Sequence, residues 1–508
     1  MDVLYSALTV ALAPDAIVAV VVGTFVGLVF GSIPGLTFTV ALALVLPVTF
    51  SLAATPAIGL LLGTYIGGMT GGSVSAILLG IPGTPSSAAT VIDGYQLTKR
   101  GKASLALGTA VIVSCFGGLV SLVVMIVSVD VVARIALHFG PVEIFALVLF
   151  GLSTICGLSE KSLVRGLIAG VIGLMLMTIG LDEMEGVQRL TFGTITLQQG
   201  VNLIVAMIAL FAVPHVIAAF ADYYHSEKSA VGASDVSVEL PSLRTLKENF
   251  WLMVRCAFIG TGIGAVPGTG GPIAAFLAYA HARRSSKDRE RFGKGALAGV
   301  VAPETANNAV TGGAMIPLLS LGIPGDPATA LVLSGLLIHG LVPGPMLFIQ
   351  HTGDIYAIYI TIIVAYLAVL AIQLLGIRFF VQILRVPAHL LAVAIIVMCG
   401  FGAYAIRNSV FDVYTMGILG VLAYGLMRAR IPLTPVVLGL VLGPTLEREF
   451  RTAIILSEGD MTTFFSSVTA VIFYLMAIGV IALHFVGQAR EARAEKLKTK
   501  QQQQEEAV

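Results

Sequence analysis

Two proline-glycine breaks, GAVPGTGGP at Gly264 to Pro272 and LGIPGDP at Leu321 to Pro327, interrupt sequence that would otherwise read as continuous apolar helix, and the polar run PETANN at Pro303 to Asn308 lies between them. A bilayer offers no water to satisfy free backbone groups, so irregular backbone at membrane depth persists only where protein covers it or where it lines a cavity. The membrane setting follows from composition: 57% of the 508 residues are hydrophobic, 11% are charged, and the mean hydropathy is +0.96. A soluble domain carries roughly 25% charged residues. The chain is therefore expected to be an all-α polytopic membrane protein, with roughly 10–12 transmembrane helices of about 20 residues each. The stretch from Gly260 to Gly325 is its first candidate substrate path.

The breaks occur twice. GSIPG at Gly31 returns as GAVPG at Gly264, 233 residues later; TGG at Thr70 returns at Thr311, 241 later; GIPGTP at Gly80 returns as GIPGDP at Gly322, 242 later. Three matches in one order point to internal duplication, with eight extra residues in the second linker and one more before its GIPG turn. Basic residues then reverse between the copies. Lys99, Arg100 and Lys102 follow the first, whose early loop is uncharged, whereas Arg283, Arg284, Lys287, Arg289, Arg291 and Lys294 fill the early loop of the second. Placing both basic loops in the cytoplasm makes the copies inverted repeats with broken or re-entrant helices.

This divides the chain into a first repeat (1–103), connecting helices with a polar loop (104–242), a second repeat (243–352), C-terminal helices (353–487) and a polar cytoplasmic tail (488–508). Four apolar runs fill the connecting region, at 104–129, 141–158, 166–181 and 201–220. Inversion needs an odd number of crossings there, so either one run is re-entrant or the helices divide differently. LPSLRTLKENFWLM has the spacing of an interfacial helix. RIPLTPVVLGLVLGP, Arg430 to Pro444, reads as another broken piece, followed by a charged turn with Glu447, Arg448, Glu449 and Arg451.

Each motif has a plain reading beside the functional one. The glycines of GAVPGTGGP lack the strand, helix and spacing of a dinucleotide fingerprint; they either kink a packed helix or open half-helix N-termini to an anion. Glu304 is either an intramembrane carboxylate with a function or a cap or ion pair near the cytoplasmic surface, since Lys294 lies ten residues away. Thr305, Asn307 and Asn308 offer hydroxyl and amide groups that suit sodium ligation or hydrogen bonding to a carboxylate. The GIPG turns, with Thr84, Ser86, Ser87 and Thr90 after the first and Asp326 and Thr329 after the second, either cap their own backbone or form paired hairpin tips facing one substrate. Arg165, His215, His339 and His351 sit near span ends. The four cysteines have no disulfide or metal spacing, the N-terminus lacks the basic region of a cleaved signal peptide, no nucleic-acid surface is evident, and no enzyme motif occurs, so no cofactor is expected.

The segments GSIPGLTF, TGGSVSAILLGIPGTPSSAATVIDGYQLTKRGKA, GAVPGTGGPIAAFLAYAHARR, FGKGALAGVVAPETANNAVTGGAMIPLLSLGIPGDPATALVLSGLLIHGLVPGP and PLTPVVLGLVLGPTLEREFR extend across nearly the whole chain. In them the chain resembles the large permease subunit of the bacterial tripartite tricarboxylate transporters, the TctA family. The resemblance implies a multi-pass permease of the bacterial inner membrane that imports carboxylates, citrate among them, by ion-coupled alternating access. It also implies two partners, a small TctB-like membrane subunit and a periplasmic TctC-like solute-binding protein. Carried onto these motifs, substrate binding falls to Gly35, Thr37, Thr70, Gly71, Gly72, Thr84, Ser86, Gly268, Thr269, Gly270, Asn307, Asn308, Gly325 and Asp326. Ion coupling falls to Glu304, Thr305, Asn307, Asn308 and Thr311, with sodium as the coupling ion and protons as the alternative. A stand-alone carboxylate carrier and a membrane-embedded enzyme using Glu304 and Asp326 are the other readings.

Overall fold

The computed structural model describes residues 2–158, 163–182, 184–223, 239–268, 270–383 and 388–482; Thr269 and the expected tail, 488–508, lie outside the described residues. The chain forms two units, Met1–His138 with Val201–Gly425, and Phe139–Gly200 with Leu426–Val508. Among the described residues seven helices are long and apolar enough to cross a membrane, and shorter apolar helices accompany them. This is an all-α polytopic membrane protein.

After a short N-terminal helix, the first unit runs through α1 (Pro14–Ser32), the short helix Phe38–Val45, α2 (Ala54–Leu79), α3 (Ala88–Lys99) and α4 (Ala103–Ala136). It resumes with helices Leu203–Phe211 and Val213–Tyr223, continues through α5 (Leu243–Gly264), α6 (Gly270–Ser285), α7 (Ala298–Leu321), α8 (Pro327–Ile338) and α9 (Thr352–Ile383), and closes with Ala388–Arg407 and most of Val410–Arg428. Helix α5 starts at Ser242, whose Oγ accepts the Thr245 N–H at 3.1 Å, so the expected interfacial helix is the first half of this longer one. Helices α2 and α7 both end at a glycine with φ +71° and ψ 17°, Gly80 and Gly322. That left-handed conformation is nearly strain-free only for glycine, and the following Ile-Pro prevents the helix from resuming at once.

Helix α1 packs on α2, and α5 packs on α7, each pair closing through glycine. A Cβ on Gly27 would strike the Thr64 carbonyl and one on Gly31 the Gly68 carbonyl; in the second pair Gly260 faces the Ala306 carbonyl and Gly264 that of Val310. Each contact of the first pair becomes one of the second by adding 233 on one helix and 242 on the other. The offset of 242 therefore already holds at Ala306, and all nine extra residues of the second copy lie ahead of it. The TGG match at 241 is one residue out of register: Thr70 has Gly312 as its counterpart, and Thr311 has Met69.

The equivalent helices α2 and α7 run antiparallel. Tyr65 in α2 meets Asp326 beyond the end of α7, Thr70 meets Asn308, and Thr90 beyond α2 meets Glu304 near the start of α7. That is the relation of inverted copies. PETANN is not a break: α7 stays helical through Pro303 and Pro317, and every residue from Gly299 to Ser320 is buried. A helix enclosed by other helices need not be apolar, provided its polar groups pair.

The second unit contains helices Pro141–Leu158, Leu163–Met177 and Leu433–Leu456 and a hairpin of Gly180–Leu181 with Gln188–Arg189. Leu163–Met177 has 15 residues, about 22 Å of helix, short of the roughly 30 Å hydrocarbon core. Leu433–Leu456 passes through Pro444 without ending, so neither the expected break nor the charged turn forms, and Glu447, Arg448, Glu449 and Arg451 are helical. Proline removes one N–H, whereas Gly439 and Gly443 pack closely on Leu163–Met177 and hold the helix in place. Asp182 in the hairpin accepts from Arg189 and Arg451, both at 2.7 Å, and both arginines also bind Glu447.

Gly264→Ala would put a methyl 2.6 Å from the Val310 carbonyl oxygen, while Gly262 on the same helix has open space around its Cβ position. Gly264→Ala is expected to destabilise the protein by about 1–3 kcal/mol and Gly262→Ala to be neutral or stabilising by up to about 1 kcal/mol, read by thermal unfolding in detergent. A second expectation concerns the hairpin. Desolvation opposes the Asp182 charge, but the Met184 N–H and the guanidiniums of Arg451 and Arg189 outweigh it and hold the carboxyl below its usual range. Its anchoring is thus present above the unfolded aspartate value, about 3.9, and is lost as pH falls through the lower folded value. Amide exchange across Gly180–Arg189 should accelerate there before that of Leu163–Met177.

Candidate functional site

The polar centre of the first unit is assembled around α7. Thr90 Oγ1 donates to Glu304 Oε1 at 2.5 Å and Ser114 Oγ to Oε2 at 3.4 Å. Ser114 Oγ in turn accepts from Asn308 Nδ2 at 2.8 Å, and Asn308 Oδ1 accepts from Thr70 Oγ1 at 2.7 Å. Four elements, α2, α3, α4 and α7, thus share one hydrogen-bonded chain. Glu304 is fully buried, and among the described residues no lysine, arginine or histidine forms an ion pair with it. The reading of Glu304 as a surface cap or ion pair is therefore incorrect.

Beside this chain the two GIPG turns lead into capped helices. Asp326 is the N-cap of α8: Oδ1 accepts the Thr329 N–H at 2.7 Å, and Thr329 Oγ1 takes the Asp326 N–H at 2.9 Å. Reciprocal bonding of this kind satisfies two helix-terminal donors, and Pro327 at the first helical position needs none. In the first copy Ser87 Oγ takes the Thr84 N–H at 3.2 Å, and the Ser87 N–H goes to the Thr84 carbonyl at 3.0 Å. The N-terminus of α6 packs against this turn, Gly271 lying against Ser86 Oγ. Two helix N-termini therefore meet beside α7, and aligned peptide dipoles make such ends favourable for an anion.

Comparison with known proteins decides the family. Residues 17–438 match the model of the tripartite tricarboxylate transporter TctA family. The chain belongs to the TctA family. It is 34% identical over 483 residues, 95% of this chain and 96% of the other, to an uncharacterized 52.8 kDa protein in the TAR-I ttuC' 3' region of Agrobacterium vitis. It is 36% identical over 224 residues to an uncharacterized protein in the TAR-II ttuC' 3' region of the same organism, covering 44% of this chain and 92% of that one. This TctA-family chain is thus a membrane transporter component.

Of the residues singled out in its sequence, Thr70, Glu304 and Asn308 share the central chain, and Thr84, Ser86, Gly270 and Asn307 gather where the helix ends meet. Gly72 lies against Thr84. Others do different work. Gly71 seats the Leu28 carbonyl in the α1–α2 seam, Thr305 Oγ1 bonds the Val301 carbonyl of its own helix at 2.7 Å, and Thr311 bonds the Asn308 carbonyl and Tyr366 OH, each at 2.6 Å. Gly268 and Gly325 tie the two second-copy breaks together, N–H to carbonyl at 2.7 Å. Gly35 is exposed, and Thr37 bonds Thr39 at 2.6 Å. Sequence reasoning missed Tyr65, which donates to Asp326 Oδ2 at 2.8 Å, and Ser114. The only signal for Tyr65 is that it stands 242 residues before Asn307.

Removing the Asn308 amide would leave Thr70 and Ser114 without their central partner. Asn308→Ala is expected to lower stability by about 1–3 kcal/mol, whereas Glu304→Gln, which keeps an acceptor for Thr90 and removes a buried carboxyl, should hold or raise the thermal midpoint.

Proposed function

We propose that this chain is the large permease subunit of a binding-protein-dependent secondary transporter that imports di- or tricarboxylates across the bacterial inner membrane by ion-coupled alternating access. The observation that carries the reading is the meeting of helix N-termini at Gly271 and Ser86, beside a buried polar helix, in a TctA-family chain. Such ends present backbone N–H groups to a carboxylate without placing a second full charge in the membrane. Ser86 adds a hydroxyl donor. A periplasmic solute-binding protein delivers the substrate, and a small membrane subunit completes the complex.

Coupling to a cation fits the buried Glu304. A carboxyl enclosed by hydroxyls is costly in its charged form, so a coupling sodium or proton that neutralises this region would favour the enclosed arrangement and link its formation to ion binding. Antiparallel copies suit such a cycle, because exchanging the roles of inverted halves turns an outward-open path into an inward-open one.

Uptake of labelled di- and tricarboxylates into proteoliposomes tests the reading, with and without the small subunit and the binding protein and under imposed sodium or proton gradients. Gradient-driven uptake that needs all three components is expected, with Glu304→Gln losing the gradient dependence. Uptake by this chain alone would replace the proposal with a stand-alone carrier, and absence of carboxylate uptake with a matched binding protein would remove the substrate class.

A further inference from the structure

The inverted copies provide an internal comparison. On one side Tyr65 OH bonds Asp326 Oδ2 at 2.8 Å, and the Phe38 ring lies beside Tyr65 with centroids 6.1 Å apart. At the offsets of the repeat, the counterparts of Tyr65, Asp326 and Phe38 are Asn307, Thr84 and Gly271. A phenol, a carboxylate and a phenyl ring are thus replaced by an amide, a hydroxyl and a hydrogen. The first trio closes on itself.

The second trio does not. Asn307 is 0% exposed and Thr84 1%, yet Asn307 Oδ1 and Thr84 Oγ1 have no hydrogen-bond partner among the described residues. The Met69 carbonyl, which can only accept, receives Asn307 Nδ2 at 3.0 Å and so fixes Oδ1 as the free end of the amide. Thr84 meets its capping partner Ser87 through backbone N–H and carbonyl, not through its own hydroxyl. Where the other copy has the Phe38 ring, Gly271 presents only backbone: a Cβ there would fall 2.7 Å from Asn307 Oδ1 and would also press on Ser86 Oγ. Glycine at this point keeps Asn307 Oδ1 approachable, and Gly72, whose Cβ would fall 2.4 Å from Thr84 Oγ1, does the same for the hydroxyl.

The unpaired atoms are all oxygen, and Asn307 Oδ1 can only accept. A carboxylate brings no proton to such an atom. A dehydrated cation is held by such oxygens alone, as in broken-helix sites, and the repeat sets Thr84 opposite Asn307 as it sets Asp326 opposite Tyr65. Glu304, one turn earlier on α7 and bonded only to hydroxyls, adds two further oxygens to the same buried helix. We infer that Thr84 Oγ1 and Asn307 Oδ1 are ligands of a monovalent alkali cation of sodium size, and that Tyr65–Asp326 is the permanently closed counterpart of this site. The inference deepens the ion-coupled reading above and rests on it for its physiological role.

The test is thermal unfolding of the purified full-length chain in lipid nanodiscs, titrated with sodium, potassium or choline chloride at constant ionic strength and with no carboxylate present. The midpoint should rise saturably with sodium and not with choline. Thr84→Val, which removes the oxygen and keeps the shape, should weaken the apparent sodium affinity about tenfold or more, as should Asn307→Leu. Thr84→Ser and Tyr65→Phe should retain the response. A wild-type chain with no saturable sodium response, a response matched by choline, or one that Thr84→Val leaves unchanged would each overturn the site. If Asn307→Leu does not fold, the Thr84→Val and Thr84→Ser pair decides. Because no carboxylate is present, a chain that imports none can still bind sodium, and a proton-driven importer would fail this test with its uptake intact.

Discussion

Because Gly27, Gly31, Gly260 and Gly264 carry no side chain, α1 closes on α2 and α5 on α7 until carbonyl oxygens reach the space a Cβ would occupy. Apolar side chains gain little by leaving lipid for protein, so helix association in a membrane leans on such close approach. The seams leave α7 surrounded by helices and free of contact with lipid hydrocarbon. Only inside that enclosure can a helix carry Glu304, Asn307 and Asn308 together. Polar function at the centre of the unit depends on glycine at its seams.

Much of this was legible in the sequence. A proline next to a glycine in apolar sequence is a strong local signal, and the breaks at Gly31–Gly35, Gly80–Gly83, Gly264–Gly268 and Gly322–Gly325 all form. The duplication was legible for the same reason, although matching TGG to TGG misplaced one residue. Sequence identity at glycines reported what the eye compares, whereas register is set by which carbonyl each glycine seats. Pro444 shows the converse error: a proline without a left-handed glycine after it does not end a well-packed helix. The partnerships of Tyr65 and Ser114 were not legible, because an isolated aromatic or hydroxyl in an apolar run has no local signature of what it will face.

The copies are equivalent in backbone and unequal in chemistry. Ser87 and Thr329 hold corresponding places as capping residues, and Gly80 and Gly322 share one conformation. The differences collect where side chains from the two copies cross: Thr90 of one binds Glu304 of the other, and Asn308 of one binds Thr70 of the other. The fold needs the shared positions. The divergent ones are free to carry specificity.

One such crossing bears on how the protein is made. Asp93, at the end of the first copy and fully buried, accepts the N–H groups of Gly295 and Ala296 at 2.7 and 2.8 Å and the Tyr279 hydroxyl at 2.8 Å. Gly295 lies 202 residues further along the chain. During synthesis the first copy therefore emerges with a carboxylate whose partners do not yet exist, and it cannot be enclosed in its final form until about half of the second copy has been translated. Assembly of this unit is a late event, completed from the C-terminal side, and a chain truncated before residue 295 would leave Asp93 exposed to whatever surveys unfinished membrane proteins.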